Sequence, residues 1–139
     1  MPRQKDAMLA GRKIIVIDDD FRNIFSLTSA LEQHEIEVLY AATGREGIEI
    51  LKSEPGIDLA LIDVMMPEMD GYETMRQIRA LAELAELPLI AVTAKAMKGD
   101  REKCLEAGAS DYVTKPVDPE RLLAILHQWM RRDAVQVLQ

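Results

Sequence analysis

Five short apolar runs, each followed by a stretch with helical spacing, predict an α/β chain of the form (βα)5. Three of the runs, Ile14–Ile17, Leu59–Ile62 and Leu89–Val92, are continuously apolar rather than alternating, as parallel strands covered on both faces are. The length of 139 residues suits one domain, and an apolar content of 48% excludes wholesale disorder. Right-handed crossovers then give a doubly wound sheet with helices on both faces, expected in the strand order 2-1-3-4-5.

The elements follow in chain order. After Ile14–Ile17, the residues Phe21, Ile24, Phe25, Thr28 and Leu31 recur at three- and four-residue spacings and predict one apolar helix stripe. The second run is Ile36–Ala41, and Thr43 with Glu46 then has capping-box spacing. Leu59–Ile62 is followed by a second such pair, Asp70 and Glu73. Beyond Leu89–Val92, Gly108 suits a left-handed helix stop after residues 103–107. The last run, Ala109–Val113, leads to Asp118-Pro119-Glu120. These residues read as a cap, a pre-set first turn and a dipole-favoured acid before Leu122, Leu123, Ile125, Leu126 and Trp129. The domain is expected over residues 13–132, with 1–12 and 133–139 as linker or tails.

Composition narrows the function. The 24 Asp and Glu outnumber the 17 Lys and Arg, for a net charge of −7. That balance argues against direct nucleic-acid binding, which needs clustered cations. The single Cys104 excludes an internal disulfide and a paired-cysteine metal framework, which favours a reducing compartment. No apolar run approaches the roughly 20 residues of a membrane span, and the opening MPRQKDAMLAGRK lacks a signal peptide's apolar segment. A cytoplasmic location with no direct membrane contact is expected.

The chemistry collects at the ends of the apolar runs. Run one ends in Asp18-Asp19-Asp20, run three in Asp63, run four in Thr93 and run five in Thr114-Lys115-Pro116. Parallel strands bring these ends to one edge of the sheet, where open α/β folds bind ligands at the reversal of strand order. In the order 2-1-3-4-5 that point lies between strands one and three, so Asp18, Asp19 and Asp63 would share a pocket. Adjacent carboxylates repel unless a cation joins them, and hard oxygens with open positions suit Mg2+ and phosphate. Lys115 adds a point charge and Thr93 a hydroxyl, so metal, ammonium and hydroxyl face a phosphoryl group. Asp63, alone on the central strand, is the best nucleophile for an aspartyl phosphate.

The segments IIVIDDD, DLALIDVMMPEMDGYE, LPLIAVTAKA and GASDYVTKPVD resemble the receiver domain of two-component response regulators over roughly residues 12–132. The resemblance implies a flavodoxin-like sandwich with Asp63 as phosphoacceptor. It further implies Mg2+ (or Mn2+) on Asp19, Asp63 and the Met65 backbone carbonyl, with Asp18 acting largely through water. Thr93 and Lys115 would contact the phosphoryl oxygens, and Lys115–Pro116 would be cis. Thr93 and Tyr112 would move together and switch the surface of the fourth helix, fifth strand and fifth helix.

The implied partners are a histidine kinase or a histidine phosphotransfer protein, and dimerisation on phosphorylation stays open. The wording resembles receivers of hybrid histidine kinases most. That leaves two readings, a fragment of a cytoplasmic or membrane-bound kinase and a stand-alone regulator.

Plainer roles compete at several positions. Asp20 also reads as a helix cap, Thr93 as a cap, Lys115 as a surface lysine and Tyr112 as a strand aromatic. Met69, Met75, Met97 and Met130 read as core or helix-face filling, His34 and His127 as surface residues, and Cys104 as packed within a helix. An aspartyl-phosphate phosphatase would carry a second acid two residues after the nucleophile, where Met65 stands. A nucleotide-binding module would need a glycine-rich phosphate cradle, which this sequence lacks. A degenerate receiver serving as a scaffold would not keep the acid, Thr and Lys set. Met65 and Lys95 are the side chains expected to border the site.

Overall fold

Strands Lys13–Ile17 (β1), Glu37–Ala41 (β2), Leu59–Asp63 (β3), Leu89–Thr93 (β4) and Asp111–Thr114 (β5) alternate with five helices. These are Phe21–Glu32 (α1), Gly44–Ser53 (α2), Gly71–Arg79 (α3), Lys98–Ala107 (α4) and Pro119–Leu138 (α5). A 3-10 turn, Ala82–Leu84, leads into β4. The computed structural model describes residues 8–94 and 97–138, with side chains as far as Met130; Lys95 lies outside the described residues. Among these, no helix is long and apolar enough to cross a membrane.

All neighbouring strands pair in parallel, and the order is β2-β1-β3-β4-β5, as expected. The register sets Ile17 opposite Ile62, Asp63 opposite Val92 and Thr93 opposite Thr114. The strand ends that carry the chemistry are therefore level along one edge.

Alternation along the strands explains the continuous apolar runs. Ile14, Val16, Leu61, Ile90 and Val92 pack beneath α1 and α5 against Ile24, Leu27, Leu31, Leu122 and Ile125. Ile15, Ile17, Ile62 and Ala91 face the other way, against Met75 and Ile78 of α3 and Cys104 of α4.

The caps hold, with one difference. Thr43 Oγ1 accepts the Glu46 N–H at 3.1 Å, and Glu46 reaches back to the Ala42 N–H at 3.1 Å. Asp70 accepts the Glu73 N–H at 2.9 Å, but the Glu73 carboxylate turns to Arg76 and Gln77 instead of back. Gly108, at φ 115°, closes α4 in the left-handed region.

Other expectations are corrected. The inward stripe of α1 is Ile24, Leu27 and Leu31, whereas Phe21 and Phe25 are 65% and 74% exposed. Their four-residue spacing is helical, but it runs along a neighbouring stripe that the sheet does not cover. Met97 is 76% exposed at the start of α4, while Met75 and Met130 are buried and Met69 is partly so. His34 and His127 are half-buried, and Cys104 is buried as expected. Two features extend past residues 13–132: Leu9 is fully buried in the core under α1 and α5, and α5 continues to Leu138.

Gly71 packs directly against backbone rather than side chains. A Cβ there would collide with the backbone of Asp63 and Val64, and the Gly71 N–H donates to the Val64 carbonyl at 2.9 Å. The first turn of α3 thus lies directly on the end of β3. Gly71→Ala should destabilise the fold by about 1–3 kcal/mol through overpacking, read as a lower urea midpoint with an unchanged m-value.

Candidate functional site

The loops leaving β1, β3 and β5 assemble the site. Asp18 directly follows β1 and is buried, its Oδ1 accepting the Asp20 N–H at 2.8 Å. Asp63 closes β3, is 3% exposed, and accepts the Met65 N–H on Oδ1 at 3.2 Å. Lys115 enters from the loop after β5, with Nζ 3.2 Å from Asp63 Oδ1 and 3.7 Å from Asp18 Oδ2. The Lys115–Pro116 bond is cis, as expected. Asp19 is exposed at the rim, and one carboxylate oxygen from each of Asp18, Asp19 and Asp63 lies within 4.8 Å of the others.

Thr93 is buried at the end of β4, and Tyr112 is half-buried on β5, against the core shared with α3 and α4. Asp20 does not join the cluster. It caps α1, accepting the Arg22 N–H at 2.9 Å, and its carboxylate pairs with the Arg22 side chain at 3.3 Å. Hydrogen bonds from Arg22 hold the Asp20 carboxyl below its usual range.

The electrostatics of Asp63 run the other way. Burial, and then the charge of Asp18, push its carboxyl up to about 6, against the pull of Lys115 and the Met65 N–H. Three carboxylates, two of them buried and paired with the Lys115 ammonium and the third at the exposed rim, leave a negative excess. Clustered hard oxygens of that charge fit a divalent cation of the Mg2+ type.

Some features were not read from the sequence. The Met65 N–H, the close approach at Gly71 and the two exposed phenylalanines all shape the site's surroundings. The Asp-Gly step at Asp70-Gly71, after a strand-ending acid, was the one local signal available for the close approach. Met65 itself points outward at the rim, and Met66 is buried in the core beneath α3.

A family model described as the response regulator receiver domain matches residues 14–127. The chain belongs to the response regulator receiver domain family. This receiver is 36% identical over 115 residues to Protein PilH of Pseudomonas aeruginosa, covering 83% of the chain and 94% of PilH. Other relatives include histidine kinases, of whose length the chain spans 12–15%.

Among solved structures, the receiver domain of sensor histidine kinase PA1611 from Pseudomonas aeruginosa aligns with a TM-score of 0.80 and 35% identity. The alignment covers 87% of this receiver and 98% of that one, which holds a magnesium ion in its active-site cleft. The receiver domain of Saccharomyces cerevisiae Ssk1, crystallised with the histidine phosphotransfer protein Ypd1, aligns with a TM-score of 0.83 and 28% identity, covering 91% and 93%.

The raised carboxyl of Asp63 makes the receiver's stability pH-dependent. Between about 3.8 and about 6 the folded state holds a proton that the unfolded state has released, so this group's contribution falls as pH rises through 6. In the presence of a chelator, Asp63 should lower stability at pH 7.5 relative to pH 4 by up to about 3 kcal/mol. Urea titrations of the unaltered receiver minus those of Asp63→Asn should show that difference. Excess Mg2+ should reverse it at pH 7.5 by binding only the folded, ionised site.

Proposed function

We propose that Asp63 accepts a phosphoryl group from a phosphohistidine, and that the surface made by α4, β5 and α5 changes in response. The single observation that carries this reading is the buried Asp63 carboxylate. It sits beside two further carboxylates and within hydrogen-bond reach of the Lys115 ammonium. In the transfer, an Asp63 oxygen attacks phosphorus as the P–N bond breaks, and the imidazole nitrogen leaves with the electron pair.

Asp18, Asp19, Asp63 and the Met65 carbonyl would hold Mg2+, which when bound neutralises charge on the transferring group. Mn2+ would serve the same donor set. Lys115 supplies a point charge to the phosphoryl oxygens and Thr93 a hydroxyl. Tyr112, on the same face of the sheet as Thr93, follows it. The fit of the acid cluster to a hard divalent ion and the magnesium in the PA1611 receiver both support this arrangement.

The donor must reach Asp63 from the edge where α1 begins. Phe21 and Phe25 stand exposed there, and α1 and the loop after Lys115 enclose a cavity of about 200 Å3 lined by Ser26, Leu27, Pro116 and Val117. A histidine kinase or histidine phosphotransfer protein would seat an apolar surface on these groups. The Ssk1 receiver's crystallisation with Ypd1 supports a partner of that class.

Two settings fit the domain over residues 13–132. The PA1611 receiver favours a module of a hybrid kinase, and PilH, matched over nearly its full length, favours a free-standing regulator.

Incubation with phosphoramidate and Mg2+ should add one phosphoryl group by intact mass, and Asp63→Asn should abolish it. Persistence of the added mass in Asp63→Asn would move the acceptor elsewhere. Lys115→Ala should still bind Mg2+, within about tenfold of normal, because it removes a phosphoryl contact rather than a metal ligand. Its phosphorylation should no longer change the amide spectrum of α4 and β5.

A further inference from the structure

α4 is anchored unequally along its length. Its C-terminal half buries Cys104 and Ala107, ends on the left-handed Gly108, and is held from α3 by Arg79. The Arg79 guanidinium donates to the Gly108 carbonyl at 2.9 Å and to Ser110 Oγ at 3.3 Å. The N-terminal half has no side-chain cap at Met97, a largely exposed Met97, and open space around Gly99.

From this half, Arg101 reaches the sheet. Arg101 lies over the Tyr112 ring, its guanidinium carbon 5.6 Å from the ring centroid. Acids flank Arg101 along α4, yet among the described residues no carboxylate pairs with its guanidinium. Tyr112 pairs with Ala91 in the sheet, one pleat from Thr93, so its ring shares a face with the Thr93 hydroxyl. Arg101 therefore covers the side chain that neighbours the site's hydroxyl, from the less anchored half of its helix.

We infer that Arg101 is a positioning residue that holds Tyr112 in the resting arrangement and so sets how readily this receiver switches. The inference rests on the reading that Asp63 is phosphorylated and that Tyr112 follows Thr93. The contact coexists with Lys115 bridging Asp63 and Asp18. Its loss on Tyr112 movement weights the equilibrium toward rest. A cation over an aromatic face at an exposed site shifts such an equilibrium by about two- to fivefold.

The test is the phosphorylation rate with phosphoramidate at saturating Mg2+, on the full chain. A small donor reacts in proportion to the population in which Thr93 reaches the phosphoryl oxygens. Arg101→Ala should phosphorylate to the same final mass about two- to fivefold faster. Arg101→Lys, which keeps the charge but not the planar stack, should fall between. In a Tyr112→Leu background, Arg101→Ala should change nothing.

An unchanged or slower rate in Arg101→Ala overturns the inference. So does an equal acceleration in the Tyr112→Leu background, which would reflect lost charge alone. In both cases phosphorylation of the unaltered chain at Asp63 leaves the functional reading standing. No added phosphoryl mass on the unaltered chain removes the reading and the inference together.

Discussion

Two carboxylates, Asp18 and Asp63, are buried side by side at the ends of adjacent parallel strands, and a single ammonium from Lys115 meets both. Ionised acids in such a place repel each other and lose hydration, so the surrounding structure has to hold them there. The parallel pairing of β1 with β3 brings the two strand ends level, the Asp20 and Met65 N–H groups each donate to one acid, and the first turn of α3 closes against β3 at Gly71. What results is a site with more negative charge than the protein neutralises. A hard divalent cation is the kind of group that completes it.

The rest of the fold separates rigidity from adjustment. The interior strands are buried on both faces, and alternate residues lock α1 and α5 to one side and α3 to the other. That frame holds Asp18 and Asp63 in fixed relation. β5 lies at the sheet's edge and α4 buries little of its surface, so the segment that carries Tyr112 and Arg101 is supported on fewer sides. A rearrangement on that side disturbs fewer packed contacts than one at the centre of the sheet.

Most of the secondary structure was legible because its causes are local. Thr43, Asp70 and Gly108 act within one helical turn of where they stand, and continuous apolar runs mark strands covered on both faces. The expectations that failed turned on which surface a neighbour covers. Phe21 and Phe25 share a helical spacing with Ile24 and Leu31, and spacing alone does not say which of two adjacent stripes meets the sheet. Met97 looks like core filling until its helix proves anchored at the other end. Leu9, preceding the first strand, is buried only because α1 and α5 close over it.

The sequence by itself determined the alternating architecture, the caps, and the set of acids, hydroxyl and lysine at the strand ends, because each is written in neighbouring residues. Its motifs also carried the resemblance to receiver domains that the family match bears out. Only the tertiary structure decided how near Lys115 comes to Asp63, that Asp20 serves the helix rather than the cluster, and that Arg101 rests on Tyr112. The physical reason is separation along the chain. Parallel strands are joined by crossovers of a dozen residues or more, so the distances between their ends depend on register and helix packing, which no short stretch of sequence encodes.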